Sequence, residues 1–262
     1  MVPTFIIHQA ADNYQRAYVQ LQYARVEGAA EFIHAFRVEV KSFNGIVLYL
    51  KEILASSHNL LDQIMMDLKP YYKSSGKVRN ITVIQDLMLQ HKETLSDDSF
   101  LSYLDEQMKA RLCKFKEVSE IIDLPASIDF SKELNSLNRM SLDYDELFYS
   151  HLKSNKNKAI HLITSNLPGE EWHIARAFFK RNYLLLKLVS DEVRDPDEMT
   201  ESRYLEQELG SWHDLIMLEK AYNKFVVLQN IHSASSLIFL EKVGEIKAIH
   251  INKIRKLLQT LV

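Results

Sequence analysis

The stretch FIHAFRVEVK, residues 32–41, is answered later in the chain by WHIARAFFKRNY, residues 172–183. The two share little, yet His34, Arg37 and Lys41 match His173, Arg176 and Lys180, each pair 139 residues apart. On a helix turning about 100° per residue, positions i, i+3 and i+7 fall within roughly 60° of arc. Each stretch therefore carries a cationic stripe about 10 Å long on one helix face. The opposite face is apolar. It holds Phe36, Val40, Phe43, Val47 and Leu50 in the first helix, and Ala175, Phe179, Leu186 and Val189 in the second, with Asn182 as the exception. Lys187 prolongs the second stripe. A solvated surface would explain either stripe alone. It does not explain why the same three cations recur while the residues between them drift. The pattern predicts two helices that present the same cations to the same ligand.

A second correspondence lies outward from the first. GKVRNITV, residues 76–83, matches GSWHDLIM, residues 210–217, at an offset of 134. Each has Gly, two residues, a cationic or imidazole side chain, Asn or Asp, then an apolar run. Two motif pairs in the same order predict two copies of one helical unit. The reading is a single domain over 1–262, with a first repeat at about 6–123, a linker at about 124–140 and a second repeat at about 141–262. Helical periodicity dominates both halves. Six Gly and five Pro leave little punctuation for a many-stranded sheet, so the expected class is all-α. Breaks are expected near Gly28, near Pro70 with a turn over SSGKVRN, at Pro125, at NLPGEE, and at a loop RDPDEMTE before a separate helix SRYLEQELG. Reading both glycines as helix openers puts Arg79 close to a helix N-terminus, where backbone donors add to anion binding. His213 is expected to serve the structure, near the start of its helix.

The chain has 262 residues, 47% of them hydrophobic and 26% charged, which is ordinary for a globular domain with a proper core. A net charge of −3 argues against nucleic acid or an acidic membrane as a partner, so any anion site must be local. One cysteine, Cys113, excludes an internal disulfide and fits a cytoplasmic setting. No stretch reads as a signal peptide or membrane span. The ten histidines form no HExxH or HxH pattern, and no P-loop occurs. Neither a metal nor a cofactor is expected. Arg offers a planar fork of donors, Lys a mobile point charge, and His two ring nitrogens. Spaced along two helices, that set suits an extended anion with repeated oxygens, such as phosphate or sulfate groups.

The repeated His-x-x-Arg-x-x-x-Lys helix, each followed by Gly-x-x-[Arg/His]-[Asn/Asp], resembles the CHAD family, the conserved-histidine α-helical domain. FIHAFRVEVK, GKVRNITV, WHIARAFFKRNY and LGSWHDL carry the likeness, which spans roughly residues 10–260. It implies a compact domain of two four-helix bundle repeats, related by pseudo-two-fold symmetry around a central basic pore. It also implies binding of inorganic polyphosphate without catalysis, and association with polyphosphate granules. His34, Arg37, Lys41, His173, Arg176 and Lys180 would line the pore, with Arg79 and Arg181 as additions. The chain departs from the family at Glu39, Ser42 and Asn44, which sit in or near a normally denser basic run, at Asn80 where Asp is usual, and at Asn182 where Arg is usual. Fewer cations release fewer counterions, which weakens polyanion binding. These departures motivate an alternative reading, a scaffold of the same fold that serves a protein partner. A phosphohydrolase with a His nucleophile is a third reading, for which no acid partner or metal ligand stands out in the sequence.

Overall fold

The apolar faces read from the sequence become the buried faces of helices. Phe36, Val40, Phe43, Val47 and Leu50 are all buried, as are Ala175, Phe179 and Leu186. The computed structural model describes residues 2–54, 59–121, 124–131, 144–187, 196–231 and 233–260. Eight helices lie among them: α1 (Val2–Glu27), α2 (Ala30–Leu54), α3 (Asn59–Gln90), α4 (Asp98–Ile121), α5 (Tyr144–Ser165), α6 (Glu170–Leu186), α7 (Pro196–Gln229) and α8 (Ala234–Gln259). The described residues contain no strand, so the chain is all-α. Gly28 ends α1 with φ +64°, and its N–H closes the last turn onto the Ala24 carbonyl at 3.0 Å. Glycine takes that left-handed conformation without steric cost.

Two expected breaks are absent. SSGKVRN is not a turn, because α3 runs unbroken through Pro70 and Gly76. The loop RDPDEMTE does not precede a separate helix either, since α7 starts at Pro196 and continues through Gly210. Interior Pro costs a helix about 3 kcal/mol and Gly about 1 kcal/mol. Burial outweighs this in α3, where Leu68, Tyr71 and Val78 are 1% exposed or less. Full burial of each such side chain is worth about 1.5–3 kcal/mol. In α7 the anchors are Leu205, Leu209 and Trp212. Pro196 sits at the first helical position, where a missing N–H costs nothing. Arg79 therefore lies inside α3, and no helix N-terminus adds to its charge. Val189 and residues 132–140 of the expected linker fall outside the described residues.

Consecutive helices pack on one another within each half, α1 to α4 and α5 to α8. The halves meet where α2 packs on α6 and α3 on α7, which brings the two stripe-bearing helices together. The core does not respect the boundary. Phe148 and Leu152 of α5, with Leu185 and Leu186 of α6, join the cluster built around α1, α2 and α3. Another cluster joins α3 and α4 to α7 and α8. At its centre Phe100 lies 5.0 Å from Tyr222, 5.3 Å from Phe225 and 6.3 Å from Phe239, ring centre to ring centre. Asp97 accepts the Phe100 N–H at the start of α4 and the Tyr222 hydroxyl at 2.9 Å, tying a helix cap in one half to α7 in the other. No helix among the described residues is long and apolar enough to cross a membrane. Because the core is shared, Phe100→Ala should cost about 3–5 kcal/mol and the loss should appear in one cooperative denaturant transition. Two separate transitions would mean that the halves fold independently.

Candidate functional site

Four cavity-facing side chains are each set by a buried residue just before them. Ile33, Val78, Trp172 and Trp212 are buried to 2% exposure or less. Anchoring them turns the next residues, His34, Arg79, His173 and His213, to the rim of one cavity. That cavity has a volume of about 450 Å³ and lies between α2, α3, α6 and α7. Both stripes enter it: His34, Arg37 and Lys41 from α2, and His173, Arg176 and Lys180 from α6. Arg79 lines it as well. Arg181 does not. One position off the stripe, it lays its stem beside Gly45 and its guanidinium 5.5 Å from the centre of the Phe178 ring, at the α2/α6 contact. Sequence reading omits Tyr72, Asn80 and Asp214, and gives His213 a structural role; all four line the cavity. The signal for the last three is the Gly-x-x-[Arg/His]-[Asn/Asp] motif itself, once its residues are placed on mid-helix faces.

The two motifs interlock. A Cβ on Gly76 would stand 2.9 Å from Arg37 Nη1, and one on Gly210 3.1 Å from Arg176 Nη2. Each glycine is the space in which the arginine of the other motif sits. Arg37 donates from Nη1 to the Tyr72 carbonyl at 2.5 Å and to Ser75 Oγ at 3.3 Å, and its guanidinium stacks 4.1 Å from the centre of the Tyr72 ring. Arg176 faces the Glu206 carboxylate at 3.8 Å. Lys180 donates to the same Glu206 oxygen at 2.8 Å. The His173 and His213 rings meet edge to face with centroids 4.3 Å apart. Their buried Nδ1 atoms have no hydrogen-bond partner among the described residues.

Asn182, the exception in the apolar arc, is explained by a buried network on the other side of α6. Its Nδ2 donates to the Leu152 carbonyl at 2.7 Å, and its Oδ1 accepts from Asn155 Nδ2 at 3.0 Å. Asn155 also meets His151 Nε2 at 2.9 Å, and His151 Nδ1 reaches Glu52 at 2.7 Å. This chain joins α6, α5 and the end of α2, fixing α2 and α6 at the orientation in which their stripes face each other.

The cavity is electrostatically loaded. Burial, then Lys180, Arg37 and Arg176, push the Lys41 ammonium down to about 7 from an ordinary lysine value, against the opposing pull of Glu206. Burial and Arg176 push His213 down to about 4. Burial lowers His34 and His173 too, reinforced at His34 by Arg79, Lys41 and Lys180. Asp214 is raised by burial despite the nearby Arg176, Arg79 and Lys41. Among the described residues no carboxylate comes within ion-pair distance of Lys41. The arrangement holds donors and positive charge around a space that lacks an equal negative charge.

No protein-family model matches this sequence, and no curated protein does. A solved structure does match in shape: the crystal structure of the CHAD domain from the plant Ricinus communis, with a TM-score of 0.70 over 99% of this chain and 92% of that one. The fold is CHAD-like. At 13% identity the likeness is one of fold alone. Within this CHAD-like fold the charged cavity has its own pH signature. The unfolded chain keeps the Lys41 proton up to the ordinary lysine range, whereas the folded chain releases it near pH 7. Between those limits the unfolded state binds more protons, so the Lys41 contribution to stability rises with pH. Lys41→Met should therefore raise Tm most at pH 6, and the advantage should shrink by pH 9, measured in a buffer free of multivalent anions. An advantage that does not change with pH would show that Lys41 is not held among cations.

Proposed function

We propose that this protein binds inorganic polyphosphate, or a similar polyphosphorylated anion, in the α2/α3/α6/α7 cavity and does no chemistry on it. The observation that carries the reading is the convergence of two equivalent cation stripes on one space, with Lys41 half-buried there and no carboxylate within ion-pair distance of it among the described residues. Repeated phosphate oxygens match the fork of Arg37 and Arg176 and the point charges of Lys41, Lys180 and Arg79. A bound anion would restore the full charge of Lys41 by opposing the repulsion that lowers it. A cavity of about 450 Å³ lies within the usual size of small-ligand sites. The internal duplication and pseudo-two-fold relation of the halves belong to the same proposal, supported by the matching Arg37–Gly76 and Arg176–Gly210 contacts.

The non-catalytic part rests on how the cavity side chains are held. An acid–base histidine is oriented by a hydrogen bond to its second ring nitrogen. His173 and His213 keep Nδ1 buried without one among the described residues, and His213 is pushed too low to carry a proton near neutrality. The alternative, a scaffold for a protein partner, draws on Glu206 and Asp214, two acids set among cavity cations.

Calorimetric titration with long-chain polyphosphate at two salt concentrations decides between them. The expected result is binding that weakens with salt and falls at least about tenfold in Lys41→Met, roughly 1.4 kcal/mol. Gly76→Ala is the second probe. Its methyl displaces the Arg37 guanidinium while helix propensity favours Ala by about 1 kcal/mol, so affinity should drop with little change in Tm. Silence at low salt, with the fold intact, would reject the polyphosphate reading in favour of the scaffold.

A further inference from the structure

Aligning the two halves on their glycines exposes a difference that the shared stripes conceal. Four residues before Gly76 stands Tyr72, and four before Gly210 stands Glu206. Three and four residues after the glycines come Arg79 and Asn80 in α3, but His213 and Asp214 in α7. The α3 face of the cavity thus has one cation and no acid, while the α7 face has Asp214 and an imidazole, with Glu206 set against the stripe cations Lys180 and Arg176. The stripe cations of the two halves meet different neighbours as a result. Arg37 lies against a neutral ring, and Lys41 has no carboxylate within ion-pair distance among the described residues. Among the described residues Arg79 has only a loose ion pair, at 3.6 Å with Asp86, whose side chain is 62% exposed, a pair that solvent screens. Glu206, by contrast, is 14% exposed and holds Lys180 at 2.8 Å and Arg176 at 3.8 Å through the same oxygen.

Resting on the reading that the cavity takes a phosphate-type anion, we infer that the anion is held mainly by the α2/α3 wall, and that Glu206 is an internal counter-anion that competes with it for Lys180 and Arg176. An entering phosphate meets no ion-paired acid among the described residues at Lys41 and Arg37, and only the exposed Asp86 at Arg79. To reach Lys180 it must displace Glu206 or approach it as a like charge in a half-buried site, where screening is weak. Asp214 is a lesser competitor, because it lines the cavity but makes no ion pair with a cavity cation among the described residues. Glu206 thereby sets both affinity and reach. It favours short oligophosphates that end on the α2/α3 wall and penalises anions long enough to span the cavity. Tyr72 in the corresponding place imposes no such penalty.

The test is titration of linear tripolyphosphate into the wild type, Glu206→Gln, Lys180→Met and the double variant, at low salt. Glu206→Gln should tighten binding at least about fivefold, the lower end of ordinary coupling between sites. Lys180→Met should weaken wild-type binding less than Lys41→Met does, and should remove most of the gain in the Glu206→Gln background. Glu206→Tyr, which copies the first half, should also tighten binding, and it carries the test if Glu206→Gln does not fold. Unchanged or weaker binding in the folded Glu206 variants, with wild-type binding intact, overturns this inference and leaves the anion-binding reading standing. Binding seen only in the Glu206 variants supports it. Absence of binding in every folded protein overturns both.

Discussion

The seating of an arginine guanidinium against a helix that lacks a Cβ is the contact on which the geometry of the cavity depends. Arg37 against Gly76 and Arg176 against Gly210 bring α2 onto α3 and α6 onto α7 at close range. Once those pairs are made, the buried residues Ile33, Val78, Trp172 and Trp212 fix the rotation of each helix about its axis. The neighbouring charged residues have nowhere to go but the shared cavity. Glycine in the middle of a helix is unfavourable by itself. Here two such glycines make room for charge, and the shared apolar clusters supply the stability that permits it.

The cations are held where they are least comfortable. A lysine that faced water would keep its proton through the physiological range, whereas Lys41, enclosed with Lys180, Arg37 and Arg176, gives its proton up near 7. A fold selected only for stability would place an apolar side chain or an acid there. In the second half an acid is indeed present, and Glu206 relieves Lys180 and Arg176. In the first half the corresponding residue is Tyr72, which stacks on Arg37 without neutralising it. The cavity therefore combines one wall whose stripe cations have no acid against them among the described residues with one wall that neutralises itself.

Much of this was legible from residue spacing. The stripe His34, Arg37, Lys41 and its partner His173, Arg176, Lys180 share a helix face by period alone, and the structure brings all six to one cavity. The helical class followed from the scarcity of Gly and Pro. What misled was the meaning of those few residues: Pro70, Gly76 and Gly210 signal turns locally, but tertiary burial carries α3 and α7 straight through them. Arg181 failed to reach the cavity because one step along a helix rotates a side chain by about 100°. Asn182 was visible as an anomaly, but its partners Asn155, His151 and Glu52 lie on two other helices. The difference between Tyr72 and Glu206 is written in the sequence, yet it has meaning only once each is seen beside its arginine.

The central claim is that an anion belongs beside Lys41, which has no carboxylate within ion-pair distance among the described residues. Its most direct measurement is the number of protons taken up on binding, obtained by titrating tripolyphosphate near pH 8 in buffers of different ionisation enthalpy. The account predicts uptake approaching one proton per anion, lost in Lys41→Met, because Lys41 is largely neutral in the free protein at that pH and charged beside phosphate. Binding with no buffer dependence, or uptake that survives in Lys41→Met, would contradict it.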